Sequence, residues 1–147
     1  MKRLLPPVFF LLCSVAMVVA HISFPVFQLF PWPIKTIAFV PLIIGIGLAV
    51  VGKRQFAKEG TNIYTFNDPD KLITSGLFAY TRNPMYLGFV IAAFSVAILT
   101  GGLIPLAIAL IHCLVVDRWY VAFEEKRMSE QFGEAYISYK KGVRRWI

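Results

Sequence analysis

A chain of 147 residues that is 58% hydrophobic and only 16% charged, with a mean hydropathy of +0.68, is too apolar for a soluble domain and reads as an integral membrane protein. Its length suits one compact unit over residues 1–147 and leaves no room for a separate nucleotide-binding domain. The formal charge of +7 does not point to nucleic acid, because apolar blocks divide the basic residues where a phosphate-tracking surface would gather them.

Residues 4–34 contain no Asp, Glu, Lys or Arg, and at about 1.5 Å per residue even part of this run crosses a hydrocarbon core of about 30 Å. A first span is expected over 7–30. Lys2-Arg3, the apolar run and Val18-Val19-Ala20 also fit a cleaved signal peptide, but the apolar character continues through Phe24, Phe27, Leu29 and Phe30, which favours a retained span. After the Pro31-Trp32-Pro33 break, residues 36–52 form a second apolar run, with Trp32 and Lys35 as interfacial anchors at one end and Lys53-Arg54 at the other. The next connection carries Gly60, Asn62, Asn67-Asp68-Pro69-Asp70 and Ser75-Gly76, turn formers that predict an ordered loop with short extended pieces. Residues 83–116 are again free of formal charge and too long for one perpendicular span. Thr100-Gly101-Gly102 and Pro105 divide them into a hairpin, giving third and fourth spans over 84–99 and 103–123. The expected fold is all-α: a bundle of about four transmembrane helices with a loop and an amphipathic helix on one face.

Four spans put both termini on one side, together with every one of the 15 Lys and Arg residues except Lys35. The positive-inside rule makes that side cytoplasmic, with the cell inner membrane as the expected location. The connection 55–82 and the tail from Asp117 onward are the sizeable segments there, so a site is expected between them. Cys13 and Cys113 lie within apolar runs and have no metal-ligand spacing, and the two histidines have no such partners either. No metal is expected.

Three groups of residues carry candidate chemistry. In the first, Arg82, Asn83 and Tyr86 stand at the mouth of the third span. Asn83 before Pro84 is a natural helix cap, and a helix start with Arg82 beside it suits an anionic group. The second lies on the last span, where His112, Val116, Tyr120 and Glu124 follow at four-residue steps and could present imidazole, phenol and carboxylate on one face. His112 itself is expected to be a neutral imidazole hydrogen-bonded between helices. The third is the tail, where Phe132, Tyr136, Tyr139 and Val143 recur at helical spacing, suiting either a membrane-surface helix or a lid. Hydrolase, zinc-peptidase and ordinary nucleotide-binding motifs are missing.

The run Leu72-Ile73-Thr74-Ser75-Gly76-Leu77-Phe78-Ala79-Tyr80-Thr81-Arg82-Asn83-Pro84-Met85-Tyr86-Leu87-Gly88, followed by Glu124-Glu125 and Phe132-Gly133-Glu134-Ala135-Tyr136-Ile137-Ser138-Tyr139, resembles a known superfamily. These are the integral-membrane methyltransferases of the isoprenylcysteine carboxyl methyltransferase and phospholipid methyltransferase type. The resemblance implies S-adenosylmethionine as methyl donor, S-adenosylhomocysteine as product and a lipidic or apolar acceptor taken from the membrane, with membrane lipids as partners and no nucleic acid. It places the cofactor region at about 62–145. Lys71, Leu72, Ile73, Phe78, Asn83, Pro84, Met85, Tyr86 and Glu125 would line the cofactor. Glu124, Arg82 and Tyr120 would be catalytic, and Arg118 and Glu124 would meet the substrate. Asn83 stands where the prenylcysteine branch carries His, and Tyr120 where that branch carries Arg, whereas the Phe-Gly-x-x-Tyr tail resembles the carboxyl-methylating branch. Amine N-methylation, as in phosphatidylethanolamine, and small-thiol S-methylation therefore stay open beside carboxyl methylation. So does a non-catalytic membrane scaffold or lipid-binding subunit.

Overall fold

The computed structural model describes residues 4–25, 28–60 and 70–147, and every described element is helical apart from one isolated bridge between Gln28 and Gly102. Helix α1 covers Pro6–Ser23, α2 Trp32–Ile37, α3 Phe39–Lys58, α4 Pro84–Thr100, α5 Leu103–Val115, α6 Ala122–Phe132 and α7 Glu134–Gly142. A 3-10 turn lies at Gly76–Ala79 and a π-helical segment at Val116–Val121. Among the described residues Pro6–Ser23, Trp32–Lys58 and Leu103–Phe132 are long and apolar enough to cross a membrane, and α4 is a shorter apolar helix. The protein is an all-α membrane bundle.

Proline sets several of the boundaries. Pro6 and Pro7 open α1 where a missing N–H costs nothing. The first span stops at Ser23, short of the expected 30, because Pro25 cannot continue the ladder and Phe24 before it is forced out of helical geometry (φ −135°, ψ 73°). The second span is longer than the expected 36–52: with one intervening residue α2 runs into α3, and the 27-residue unit Trp32–Lys58 extends beyond Lys53-Arg54. The turn formers Asn62 and Asn67 to Pro69 lie outside the described residues, so the expected extended pieces there have no structural counterpart to set beside them.

Helix α4 forms the centre, packed by α1, α3 and α5. Its contact with α3 depends on two facing glycines: a Cβ at Gly45 would lie 2.6 Å from the Gly88 carbonyl oxygen and 2.9 Å from the Ala92 nitrogen, and a Cβ at Gly88 would lie 2.8 Å from the Ala49 nitrogen. Small residues let the backbones touch, as membrane helices require in the absence of a hydrophobic force between them. Gly101, with φ +79°, reverses the chain into α5, and Lys35 reaches over this end to donate to the Gln28 side chain (2.6 Å) and the Thr100 carbonyl (3.5 Å). The last span continues past the expected 123 as one helix to Phe132, 30 residues and about 45 Å long. Its final turns therefore stand beyond a hydrocarbon core of about 30 Å.

Candidate functional site

The site is assembled at the end of the bundle opposite Lys35. Gln55, on the last turns of α3, takes hold of the incoming loop: its Nε2 donates to the Ser75 carbonyl at 2.6 Å, and its Oε1 accepts from the Leu77 N–H at 3.3 Å. Gly76 has φ +57°, and a Cβ there would strike the Gln55 amide, so the tight approach needs glycine. The turn delivers Phe78 edge-on to Phe56 of α3, with ring centroids 5.2 Å apart, and Ile73 joins them in a small apolar cluster.

Residues 81–83 then run along the tail that follows α7. The Arg82 N–H donates to the Arg144 carbonyl (3.0 Å), while the Thr81 hydroxyl (3.2 Å) and the Asn83 side-chain amide (3.0 Å) both donate to the Arg145 carbonyl. Asn83 does occupy the position before α4, but its side chain makes no capping bond: the tail carbonyl has claimed it. The two Nη groups of the Arg82 guanidinium are taken up within the protein, while its buried Nε has no partner among the described residues. The Nη groups bind the Glu125 carboxylate at 2.7 Å and the carbonyls of Lys140 (3.2 Å) and Val143, and only 7% of each partner's side chain in the ion pair is exposed.

The π segment changes the face that the last span turns inward. One extra residue per turn makes both Tyr120 and Val121 buried, and the buried series runs His112, Val116, Tyr120, Val121, Glu125. Four-residue stepping would have ended on Glu124. Instead Glu125 is buried in the ion-pair network, and Glu124 lies beside it at the cleft, where it accepts a hydrogen bond from the Tyr86 phenol. Tyr120 stands one ring behind Tyr86, with centroids 6.2 Å apart, and donates its hydroxyl to the Leu4 carbonyl at 2.8 Å. His112 is wholly buried but has no hydrogen-bond partner for either ring nitrogen among the described residues; the ring stacks on Phe9 at 5.2 Å instead.

These pieces line one partly open cleft. Leu72, Ile73, Phe78, Arg82, Asn83, Pro84, Met85, Tyr86, Glu124 and Glu125 all line it, as the sequence led one to expect of a common site. Three other expected residues lie elsewhere. Lys71 donates to the Glu59 carbonyl, Tyr120 sits behind the wall, and Arg118 has its side chain 82% exposed and paired with Asp117 at 3.2 Å. Phe56 and Met128 also line the cleft and had no signal in the sequence beyond hydrophobicity. Tyr136 and Tyr139 complete the lining from α7, which folds back over the site and does not lie apart on a membrane surface. Tyr139 donates to the Phe78 carbonyl at 2.6 Å. Burial, reinforced by the Glu125 carboxylate, pushes the Tyr136 phenol up to about 12, and burial beside Tyr136 does the same to Tyr139. Hydrogen bonding to Glu125 holds the Arg145 guanidinium above its ordinary value.

An apolar-walled cleft that carries a phenol–carboxylate pair at one end of a membrane bundle defines an integral-membrane protein with a candidate small-molecule site. The sequence model of the phospholipid methyltransferase family matches residues 34–135, and the chain belongs to this family. It is similar to methanethiol S-methyltransferase 1 of Bradyrhizobium diazoefficiens, 32% identical over 98 residues that cover 66% of this chain and 30% of that protein. It is also similar to protein-S-isoprenylcysteine O-methyltransferase of Schizosaccharomyces pombe, 32% identical over 80 residues, 52% of this chain and 33% of that protein. An uncharacterized protein of Haemophilus influenzae is 30% identical over 63 residues, 43% of this chain and 100% of that protein. The matched stretch thus spans about a third of the length of the two named methyltransferases. No solved structure matches the chain.

Proposed function

We propose that this protein transfers a methyl group from S-adenosylmethionine to a lipidic or otherwise apolar acceptor at the cytoplasmic face of the membrane. The observation that carries the reading is the Tyr86–Glu124 pair inside an aromatic and apolar cleft at the end of the bundle, in a chain of the phospholipid methyltransferase family. The orientation follows from the basic residues, all but Lys35 on the cleft's side of the expected topology.

The cleft suits the donor. Phe56 and Phe78 place aromatic carbon in the lining, which suits a purine, and the start of α4 offers the positive end of a helix dipole to a carboxylate. The donor, when bound, supplies methyl on a positively charged sulfur; the carbon–sulfur bond breaks as the methyl joins the acceptor, and S-adenosylhomocysteine leaves as a neutral thioether. The protein's own share is alignment and the exclusion of water by the aromatic walls.

The acceptor is best read as a thiol or an amine. Arg82 is the only Lys or Arg among the described residues lining the cleft, and Glu125 holds it; Arg127, which faces Glu124, lies over the Phe123 ring at 5.6 Å. A carboxylate acceptor would lack an uncommitted cation in the lining, whereas a thiol or ammonium gives up its proton to Glu124, which Tyr86 orients. Calorimetry of the protein in detergent with S-adenosylhomocysteine tests the donor, and labelled-methyl transfer to alkanethiols, phosphatidylethanolamine and prenylcysteine tests the acceptor. Binding with transfer to thiol or amine is expected. Transfer to the prenylcysteine carboxylate alone would overturn the acceptor, and failure of the intact protein to bind would leave the scaffold reading.

A further inference from the structure

The tail that follows α7 does more than cover the cleft. Thr81, Arg82 and Asn83 are consecutive, and all three donate to two consecutive carbonyls, Arg144 and Arg145, so the cleft wall takes its register from the tail. The tail is in turn held by a side chain that does not line the cleft as well as by two that do. Asp117, in the π segment, accepts from Arg145 Nη1 at 3.1 Å and from the Trp146 indole N–H at 3.0 Å, both on its Oδ1. Arg145 Nη2 bonds Glu125 at 2.7 Å, and Glu125 bonds Arg82 at 2.7 Å. The result is an alternating series, Asp117 to Arg145 to Glu125 to Arg82, that runs from a 22% exposed carboxylate to a guanidinium only 7% exposed. The Trp146 ring packs against the cluster of Tyr86, Val116, Tyr120 and Val121, so the same anchor touches the cleft wall from behind.

We propose that Asp117 is a positioning residue for the donor site: by fixing Arg145 and Trp146 it locks the tail as the template against which residues 81–83 and the start of α4 are set. This rests on the donor-binding reading above. Asp117 touches neither the cleft nor the reacting groups, and its effect passes through Arg145 and the Arg144 and Arg145 carbonyls. Because both locking bonds converge on one oxygen, loss of the aspartate releases them together.

The test uses the full chain in detergent, with S-adenosylhomocysteine binding by calorimetry and hydrogen exchange of the peptide covering 81–86 as separate readouts. Asp117→Ala is expected to weaken binding by about tenfold and to speed exchange at the Arg82 amide, while peptides from the middle of α4 exchange as before. Trp146→Phe, which keeps the ring and removes the N–H donor, should produce a smaller change of the same kind, and the double variant should be no worse than Asp117→Ala. Asp117→Glu, which retains the charge, should recover part of the binding. Unchanged affinity and exchange in Asp117→Ala would overturn the proposal. So would additive losses in the double variant, or faster exchange spread evenly over the bundle, since either marks general destabilisation. If the unaltered protein binds no S-adenosylhomocysteine, the donor reading fails and with it the role at a donor site; exchange at Arg82 alone then decides whether Asp117 locks the tail.

Discussion

Two adjacent glutamates should respond in opposite ways to the same substitution. Glu125 has a side chain 7% exposed and accepts from Arg82 at 2.7 Å and from Arg145 at 2.7 and 3.2 Å. Removing one partner from a buried ion pair costs about 3–5 kcal/mol, because the other charge stays behind without compensation. In Glu125→Gln the amide oxygen keeps one acceptor, worth about 1 kcal/mol, and Arg145, with 33% of its side chain exposed, can recover some hydration. A net loss of about 2–4 kcal/mol remains. At about 2–4 °C per kcal/mol for a chain near this size, the melting temperature in detergent should fall by roughly 4–16 °C. Glu124→Gln keeps the side-chain shape and an acceptor for Tyr86, so its stability should change by no more than about 1 kcal/mol, while methyl transfer to a proton-bearing acceptor should fall by about 10²-fold or more. Melting curves followed by intrinsic fluorescence, paired with the transfer assay, read both effects. Equal melting temperatures for Glu125→Gln and the parent, or equal losses for the two variants, would refute the division of roles.

Other outcomes follow from the geometry. Gly88→Ala puts a methyl group 2.8 Å from the Ala49 backbone nitrogen and must part α3 from α4; a loss of about 1–3 kcal/mol is expected, seen as a lower melting temperature. Tyr136 and Tyr139 are held protonated, with values pushed to about 12 against an ordinary value of 10. The folded state therefore keeps protons that the unfolded chain releases: the stabilisation is present below about pH 10 and is lost as pH rises toward 12. Unfolding curves measured between those values should show the decline, and Tyr136→Phe should reduce its slope. Arg118→Ala should leave S-adenosylhomocysteine affinity within about twofold, because this exposed side chain is not among the residues lining the cleft; a tenfold loss would place it at the ligand after all.

Much of the bundle can be read directly from the chain. Uncharged runs long enough to cross a bilayer, prolines that admit a helix start but forbid its continuation, and glycine at a reversal such as Gly101 act through neighbours in sequence, and hydrophobicity sums along the chain. The same holds for the residues from Leu72 to Tyr86, most of which do gather at one cleft. Two details of the helices depart from what the sequence leads one to expect. The first span's end depends on Pro25 acting through Phe24, a local rule outweighed in the reading by continuing hydrophobicity. The π segment adds one residue to a turn of the last span and exchanges the places of Glu124 and Glu125, a shift that no four-residue stepping reveals.

The sequence by itself determined that this protein lies in a membrane, which residues share a motif and which family they resemble, because each of these follows from composition and order. Only the tertiary structure decided what the polar side chains are for. Arg82 and Asn83 look in isolation like an anion site and a helix cap; a tail some sixty residues away, Arg82 to Arg144 and Asn83 to Arg145, claims both of them. A polar group leaving water must find a partner, and which partner is near enough is fixed by how the helices pack and not by the order of residues along the chain.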